Sequence, residues 1–321
     1  MGITILVGKD GRPSMKKVFA FMKGNDNKLV IRRKILKSGK QWLRSYEGNN
    51  SDKFVKRPIN ELSLADKKVI RWGNRIEAET NKGTIVYNKS EAIERATNKK
   101  LSREIFAKEK VRTPKAVTPE NITDADYPVI ARPSTHAKGK NFIILKTKEE
   151  FQQHYAANEK NGWYYSAFVN KTREFRVHCA HGKILGVMEK AKGKDKIAWN
   201  RAVTGEPFIR VEQEKYPFSV CFQALKAVKA IGLDFSGVDV MEIIENGKPQ
   251  GYVLEVNTSP TLNSSEYISE QYAKYFDWLG RSDKRRDHWD FTKFEKAESF
   301  AWKQFQLLEI QNPGKNVPNQ G

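Results

Sequence analysis

Asp239, Glu255 and Asn257 lie in the segment DFSGVDVMEIIENGKPQGYVLEVNTSPTL, where each interrupts an otherwise apolar run. Asp239 belongs to one β-rich stretch and Glu255 and Asn257 to the next, with ENGKPQ as the turn between them. Side chains two apart leave the same face of a strand, so Glu255 and Asn257 point together; if the stretches pair as a hairpin, Asp239 reaches that face too. An acid inside an apolar run must be paired, ligated or shifted in pKa. Two carboxylates and an amide oxygen are hard donors of the kind Mg2+ takes beside phosphate oxygens. The bland alternative is a solvated hairpin with ordinary surface acids.

Upstream, IARPSTHAKGKNFIIL delivers Arg132 from a strand into a small-residue loop with Ser134, Thr135 and Gly139. Backbone N–H groups of such a loop can cradle phosphate, and Arg132 adds a fixed fork of donors. A glycine-bearing hairpin loop with basic residues is also common without any ligand. The GxxxxGK[ST] phosphate loop is missing.

The elements that must carry these residues are mixed. GITILV reads as a first strand and KKVIRWGN as a second, ending at Gly73. Residues 14 to 60 are polar and cationic, and read as short elements joined by loops. Ser90 is expected to cap the helix EAIERA, and a longer helix, NKKLSREIFAKEKV, must stop before Pro114. PKAVT, YPVIARP, NFIILKT and WYYSAFV read as strands, with KEEFQQHYAAN as a helix among them. EFRVHCAHGKILGVMEKAK reads as a hairpin turning at AHGK, and PFSVCFQALKAVKAIG as a core helix ending at Gly232. The expectation is an α+β protein with an α/β N-terminal unit.

Length and composition limit the function. The 321 residues suit two or three packed units, and 39% hydrophobic residues supply a core, which excludes wholesale disorder. Lys plus Arg outnumber Asp plus Glu by 58 to 38, a formal charge of +20, so a negative partner is expected: nucleotide, nucleic acid or acidic protein. The first 80 residues and the run SDKRRDHWD are the most cationic. Cys179 and Cys221 sit far apart with no metal-ligand spacing, and Cys179 reads as core. No window has the apolar length of a membrane helix, and the opening stretch is too short for a signal peptide, so a cytoplasmic chain without a membrane partner is expected.

The order of NKKLSREIFAKEKVRTP, PVIARPSTHAKGKN, EFRVHCAHGKILGVMEK, GVDVMEI and VLEVNTSP resembles the ATP-grasp superfamily. It is most similar to the branch of the ribosomal-protein glutamate ligase, and more distantly to D-alanine–D-alanine ligase. The resemblance spans about residues 98 to 262. It implies two α+β subdomains sandwiching a nucleotide: an N-terminal α/β unit over 1–95, a lid over 96–165, a core over 166–279 and a C-terminal helix and tail over 280–321.

Residue by residue, the resemblance implies that Lys99, or Lys100 beside it, is a phosphate-binding lysine. Arg132 stands where lysine is more usual, and Ser134, Thr135 and Gly139 fall in a mobile loop that closes on the phosphates. Ala167 and Val169 would meet the adenine edge through their backbones, with Phe168 on the ring and Glu174 on the ribose. Arg176 would lie near substrate, Glu189 and Lys190 would face the nucleotide, and Asn200 would approach the acceptor, although the arginine expected two residues before it is Ala198. Asp239, Glu255 and Asn257 would be the metal ligands, for two Mg2+ ions with Mn2+ as an alternative.

The implied reaction joins a carboxylate to an amine as ATP becomes ADP through an acylphosphate. His136 and His178 are the candidate bases. The amine or carboxylate acceptor is expected on a macromolecule, an acidic protein tail or a nucleic acid, and the competing function is a nucleic-acid-binding or nucleic-acid-modifying protein on the same fold.

Overall fold

The computed structural model describes residues 3–7, 12–22, 28–35, 41–47, 54–58, 68–73, 83–133, 143–158, 162–191, 208–262 and 265–280. Ser134, Thr135, His136, Gly139, Ala198, Asn200, the SDKRRDHWD run and the C-terminal tail lie outside them.

The N-terminal unit is a six-stranded sheet in the order β4-β3-β2-β1-β5-β6. Its strands are β1 (Thr4–Val7), β2 (Lys28–Ile35), β3 (Gln41–Glu47), β4 (Phe54–Pro58), β5 (Lys68–Trp72) and β6 (Ile85–Tyr87). β1 pairs in parallel with β2 and β5, and β5 with β6, whereas β2, β3 and β4 form an antiparallel meander. The cationic stretch after residue 27 forms short strands, and these extend the sheet. Helix α1 (Arg12–Phe21) follows β1, the βα start read from GITILV.

Helix α2 (Ser90–Thr97) leads into α3 (Lys99–Lys108). Ser90 is the first helical residue, not the cap; Lys89 holds the cap position without a side-chain bond. The working cap is Asn98, whose side chain accepts from the Leu101 N–H at 3.2 Å and starts α3.

A three-stranded sheet, β8-β7-β9, is built from β7 (Val129–Pro133), β8 (Ile143–Leu145) and β9 (Trp163–Ala167), with α4 (Lys148–Asn158) beside it. It has its own small core around Val129, Leu145, Phe151 and Tyr165. α3, grouped with this lid by a boundary at 96, instead buries Phe106 in the core of the larger sheet.

That larger sheet runs β12-β11-β10-β13-β14. Its strands are β10 (Arg173–Ala180), β11 (Lys183–Lys190), β12 (Phe208–Arg210), β13 (Phe235–Glu245) and β14 (Lys248–Asn257). Both hairpins turn on two residues with positive φ, His181-Gly182 and Asn246-Gly247, which two-residue turns require to match strand twist. Helix α5 (Phe218–Ile231) covers one face with Val220, Ala224, Ala227 and Ile231, and ends at left-handed Gly232. Phe175, Val177 and Cys179 of β10 and Val238 and Val240 of β13 point into that layer. The opposite face carries Glu174, Arg176 and Asp239. Beyond it, α6 (Glu266–Gly280) packs Tyr272 and Phe276 against Trp72 of β5 and Phe235 of β13, joining the core sheet to the N-terminal unit.

Candidate nucleotide and metal site

Antiparallel pairing sets Arg176 opposite Asp239 and Asp239 opposite Glu255, with Gly237 opposite Asn257. The expected hairpin therefore brings the trio to one face. A β-bulge makes this work: Val240 pairs with Val253 while Asp239 pairs with Glu255, leaving Leu254 as the extra residue. Val253 and Val256 both enter the apolar layer under α5 although they are three apart. Without the extra residue, period-two alternation would put Val253 and Glu255 on the same side.

Each carboxylate of the trio meets a cation. The Arg176 guanidinium donates from Nε to Asp239 Oδ1 at 2.6 Å and from Nη2 to Oδ2 at 2.8 Å. Lys99 Nζ donates to Glu255 Oε2 at 2.8 Å. Lys99 is thus the lysine that α3 turns toward the strands, and its neighbour Lys100 is exposed. Burial pushes the Asp239 carboxyl up, against the pull of Arg176 and with a further push from Glu255. Burial would also raise Glu255, but Lys99 and Arg176 outweigh it and hold that carboxyl at about 2. The two acids are pushed apart, which makes the pair a functional-site candidate.

A second node adjoins the first. Glu174 Oε2 accepts from Lys171 Nζ at 2.6 Å and Oε1 from Lys190 Nζ at 2.9 Å, all three side chains being largely buried. Arg132 reaches toward the same region, since its charge acts on Lys171, and its buried Nε has no hydrogen-bond partner. One carboxylate among these cations leaves an excess of positive charge that suits a polyanion. Glu189 differs from expectation: it sits opposite Phe175 and takes a bidentate bond from Arg173 at 2.9 and 2.6 Å, on the face away from Lys190. Side-chain alternation along β11 makes the two neighbours diverge.

The strand β9 ends at the expected adenine hinge. Ala167's N–H donates to the Lys115 carbonyl at 2.9 Å and Phe168's N–H to the Pro128 carbonyl at 2.9 Å. Ala167's N–H is therefore engaged within the three-stranded sheet and its flanking segment. Thr172 ties the other end of this loop to Glu242's carbonyl through its N–H and hydroxyl.

His178 is 1% exposed beside Tyr272, and burial with the nearby Arg176 charge holds it down at about 3. So weak a base is unsuited to taking a proton from an amine near neutral pH. Beside it a small recess is lined by Arg176, Met188, Phe208, Leu262 and Ile268.

The residues fit a nucleotide with Mg2+. Among the described residues no group of three or more His, Cys, Asp or Glu is arranged for a metal. Two carboxylates and an amide match an ion that keeps most of its positions for water and phosphate. Asn257 lies beside Glu255, and its side-chain hydrogen bond helps hold that carboxyl down.

Sequence reasoning missed Lys171 and Arg103. Arg103 lies one helical turn after Lys99, so the i, i+4 spacing could have flagged it. Nothing local distinguished Lys171 from a surface lysine.

Together, the lid sheet and the five-stranded sheet with its cation-ringed acids define an ATP-grasp ligase. The chain belongs to the RimK-like ATP-grasp domain family, whose profile matches residues 96–275, more than half its length. It is 24% identical over 242 residues to the tetrahydromethanopterin:alpha-L-glutamate ligase of Methanocaldococcus jannaschii, spanning 68% of this chain and 78% of that protein. Solved structures show the same fold. The D-alanine–D-alanine ligase of Bacillus anthracis superposes with a TM-score of 0.55 at 17% identity, over 86% of this chain and 96% of that one. A Chryseobacterium gregarium RiPP-associated ATP-grasp ligase in complex with ADP, and a leader and core peptide, gives 0.54 at 13% identity, over 86% and 96%. Among the described residues no helix is long and apolar enough to cross a membrane.

Proposed function

We propose that the chain is an ADP-forming ligase that activates a carboxylate as an acylphosphate and couples it to the amine of an acidic amino acid, of the glutamate type. The observation that carries this reading is the register-matched pair Asp239 and Glu255 on one sheet face, each met by a cation, with Asn257 beside them. The glutamate ligase among the relatives and the strongly cationic chain support the choice of amine.

A carboxylate acylates poorly because its leaving group would be oxide. In the proposed sequence a carboxylate oxygen attacks the γ-phosphorus of ATP, the bond to ADP breaks, and an acylphosphate forms. The amine nitrogen then attacks the carbonyl carbon, phosphate leaves with the bonding electrons, and the amine gives up a proton. Asp239, Glu255 and Asn257 would hold Mg2+, which supplies charge neutralisation along the phosphates. Lys99, Arg132 and Lys190 would add fixed positive charge where the transferring group gathers negative charge. Glu174 would hold the ribose and the backbone of Val169 the adenine edge. Arg176 engages Asp239 through Nε and Nη2, which leaves Nη1 to face an incoming carboxylate. Ser134, Thr135 and Gly139 are proposed to contact the phosphates, and Asn200 to lie near the acceptor.

The retained trio favours ligation over a purely nucleic-acid-binding role, because a binding module has no use for paired buried acids. The peptides in the Chryseobacterium complex support a peptide as one class of carboxylate donor. The test is incubation with ATP, Mg2+, pooled amino acids and candidate acceptors, followed by ADP assay and mass spectrometry. One amino-acid residue added per ADP is expected, and Glu255→Gln should stop both. ADP release by Glu255→Gln at the rate of the native chain would contradict the assignment.

A further inference from the structure

The bulge in β14 is the least regular point of the site, and it is held from outside the sheet. Leu254, the unpaired residue, leaves its own carbonyl and that of Val253 beside a locally disrupted ladder. Arg103 of α3 meets both: Nη1 donates to the Val253 carbonyl at 2.9 Å and Nη2 to the Leu254 carbonyl at 2.6 Å. Thr113's hydroxyl adds a second donor to the Val253 carbonyl at 2.9 Å, and Val253's N–H is taken by the Arg112 carbonyl at 2.8 Å. Four residues earlier on the same helix face, Lys99 holds the Glu255 side chain. One helix turn thus grips Glu255 twice, by its carboxylate and by the backbone before it. Arg103 also lies against Tyr164 of the lid strand β9, whose register partner is Arg132.

We propose that Arg103 is a positioning residue that locks the Leu254 bulge and so presents Glu255 to the divalent ion beside Asp239. The proposal rests on the reading of Glu255 as a metal ligand. The fork geometry matters: two parallel N–H groups match two successive carbonyls, which a lysine's point charge cannot do. Loss of the fork lets β14 relax toward regular pairing, which carries Glu255 toward the opposite face.

The sign of the effect separates this role from plain electrostatics. A guanidinium near a dication repels it, so removing the charge would by itself tighten metal binding. Removing a group that orients a ligand weakens binding, by about 10- to 100-fold for supporting residues of metal sites. The experiment is calorimetric titration of ADP at a series of Mg2+ concentrations for the native chain, Arg103→Met, Arg103→Lys and Glu255→Gln, each at a temperature well below its own melting transition. We expect Arg103→Met to require about tenfold more Mg2+ for half-maximal ADP binding. Arg103→Lys, which keeps the charge without the fork, should show a similar rise and serves alone if the methionine variant does not fold. An unchanged or lowered Mg2+ requirement in the variants overturns the proposal. Glu255→Gln reports separately on the metal reading: if it keeps the native Mg2+ dependence, that reading fails, whatever Arg103 does.

Discussion

At the scale of single residues, each acid of the candidate site has a counter-ion, and Arg132 and one of the two lysines on Glu174 are left over. Glu174 is shared by Lys171 and Lys190, and in the proposed reaction Lys190 would turn to a phosphate while Lys171 keeps the carboxylate in place. Lys171→Met would make Lys190 the sole partner and hold it back. ADP affinity is expected to fall about tenfold, near 1.4 kcal/mol, in a fluorescence or calorimetric titration; native affinity in this variant would show that Lys171 is structural only. His178 makes a different prediction. Its folded pKa, about 3, lies below the ordinary 6.5, so the unfolded chain takes the proton first. Its contribution to stability is present above pH 6.5 and is lost as pH falls toward 3, by up to about 1.4 kcal/mol per pH unit. Urea titrations between pH 7 and 5 should show a steeper loss for the native chain than for His178→Asn; parallel curves would contradict this.

At the scale of elements, the hairpins and the core helix were legible because their signals are local. HG and NG demand positive φ in two-residue turns, and the apolar spacing of PFSVCFQALKAVKAIG needs no partner to be read. The same-face placement of Glu255 and Asn257 also followed from alternation. The bulge at Leu254 did not, because it depends on pairing with β13 and on a clamp from a helix about 150 residues earlier in the chain. The Ser90 cap failed because the helix begins one residue earlier than read, which leaves Lys89 at the cap position, whereas Asn98 stands at the cap position of α3 and bonds there. Packing of α5 on β14 yields a further expectation. A Cβ on Gly251 would stand 2.7 Å from the Ser219 carbonyl oxygen and 2.8 Å from Val220 Cα, both backbone atoms of the helix. Gly251→Ala should therefore destabilise the fold by about 1–3 kcal/mol in denaturant unfolding; a variant as stable as the native chain would mean that α5 shifts freely.

At the scale of the whole molecule, the N-terminal sheet, α6 and the core sheet share one apolar cluster around Trp72, Phe235, Tyr272 and Phe276, so the site face has a continuous support behind it. The α+β class with an α/β start was readable from the order of strands and helices. The meander of β2 to β4 was not, because its cationic residues mask the alternation that marks a strand. Asp239, Glu255 and Asn257 are proposed to hold an ion between nucleotide and protein. The most direct measurement is calorimetric ADP binding with and without Mg2+, for the native chain and for Asp239→Asn. The expected result is tight uptake by the native chain only with Mg2+, and loss of that Mg2+ effect in Asp239→Asn. Equal uptake with and without the ion in the native chain would contradict the account.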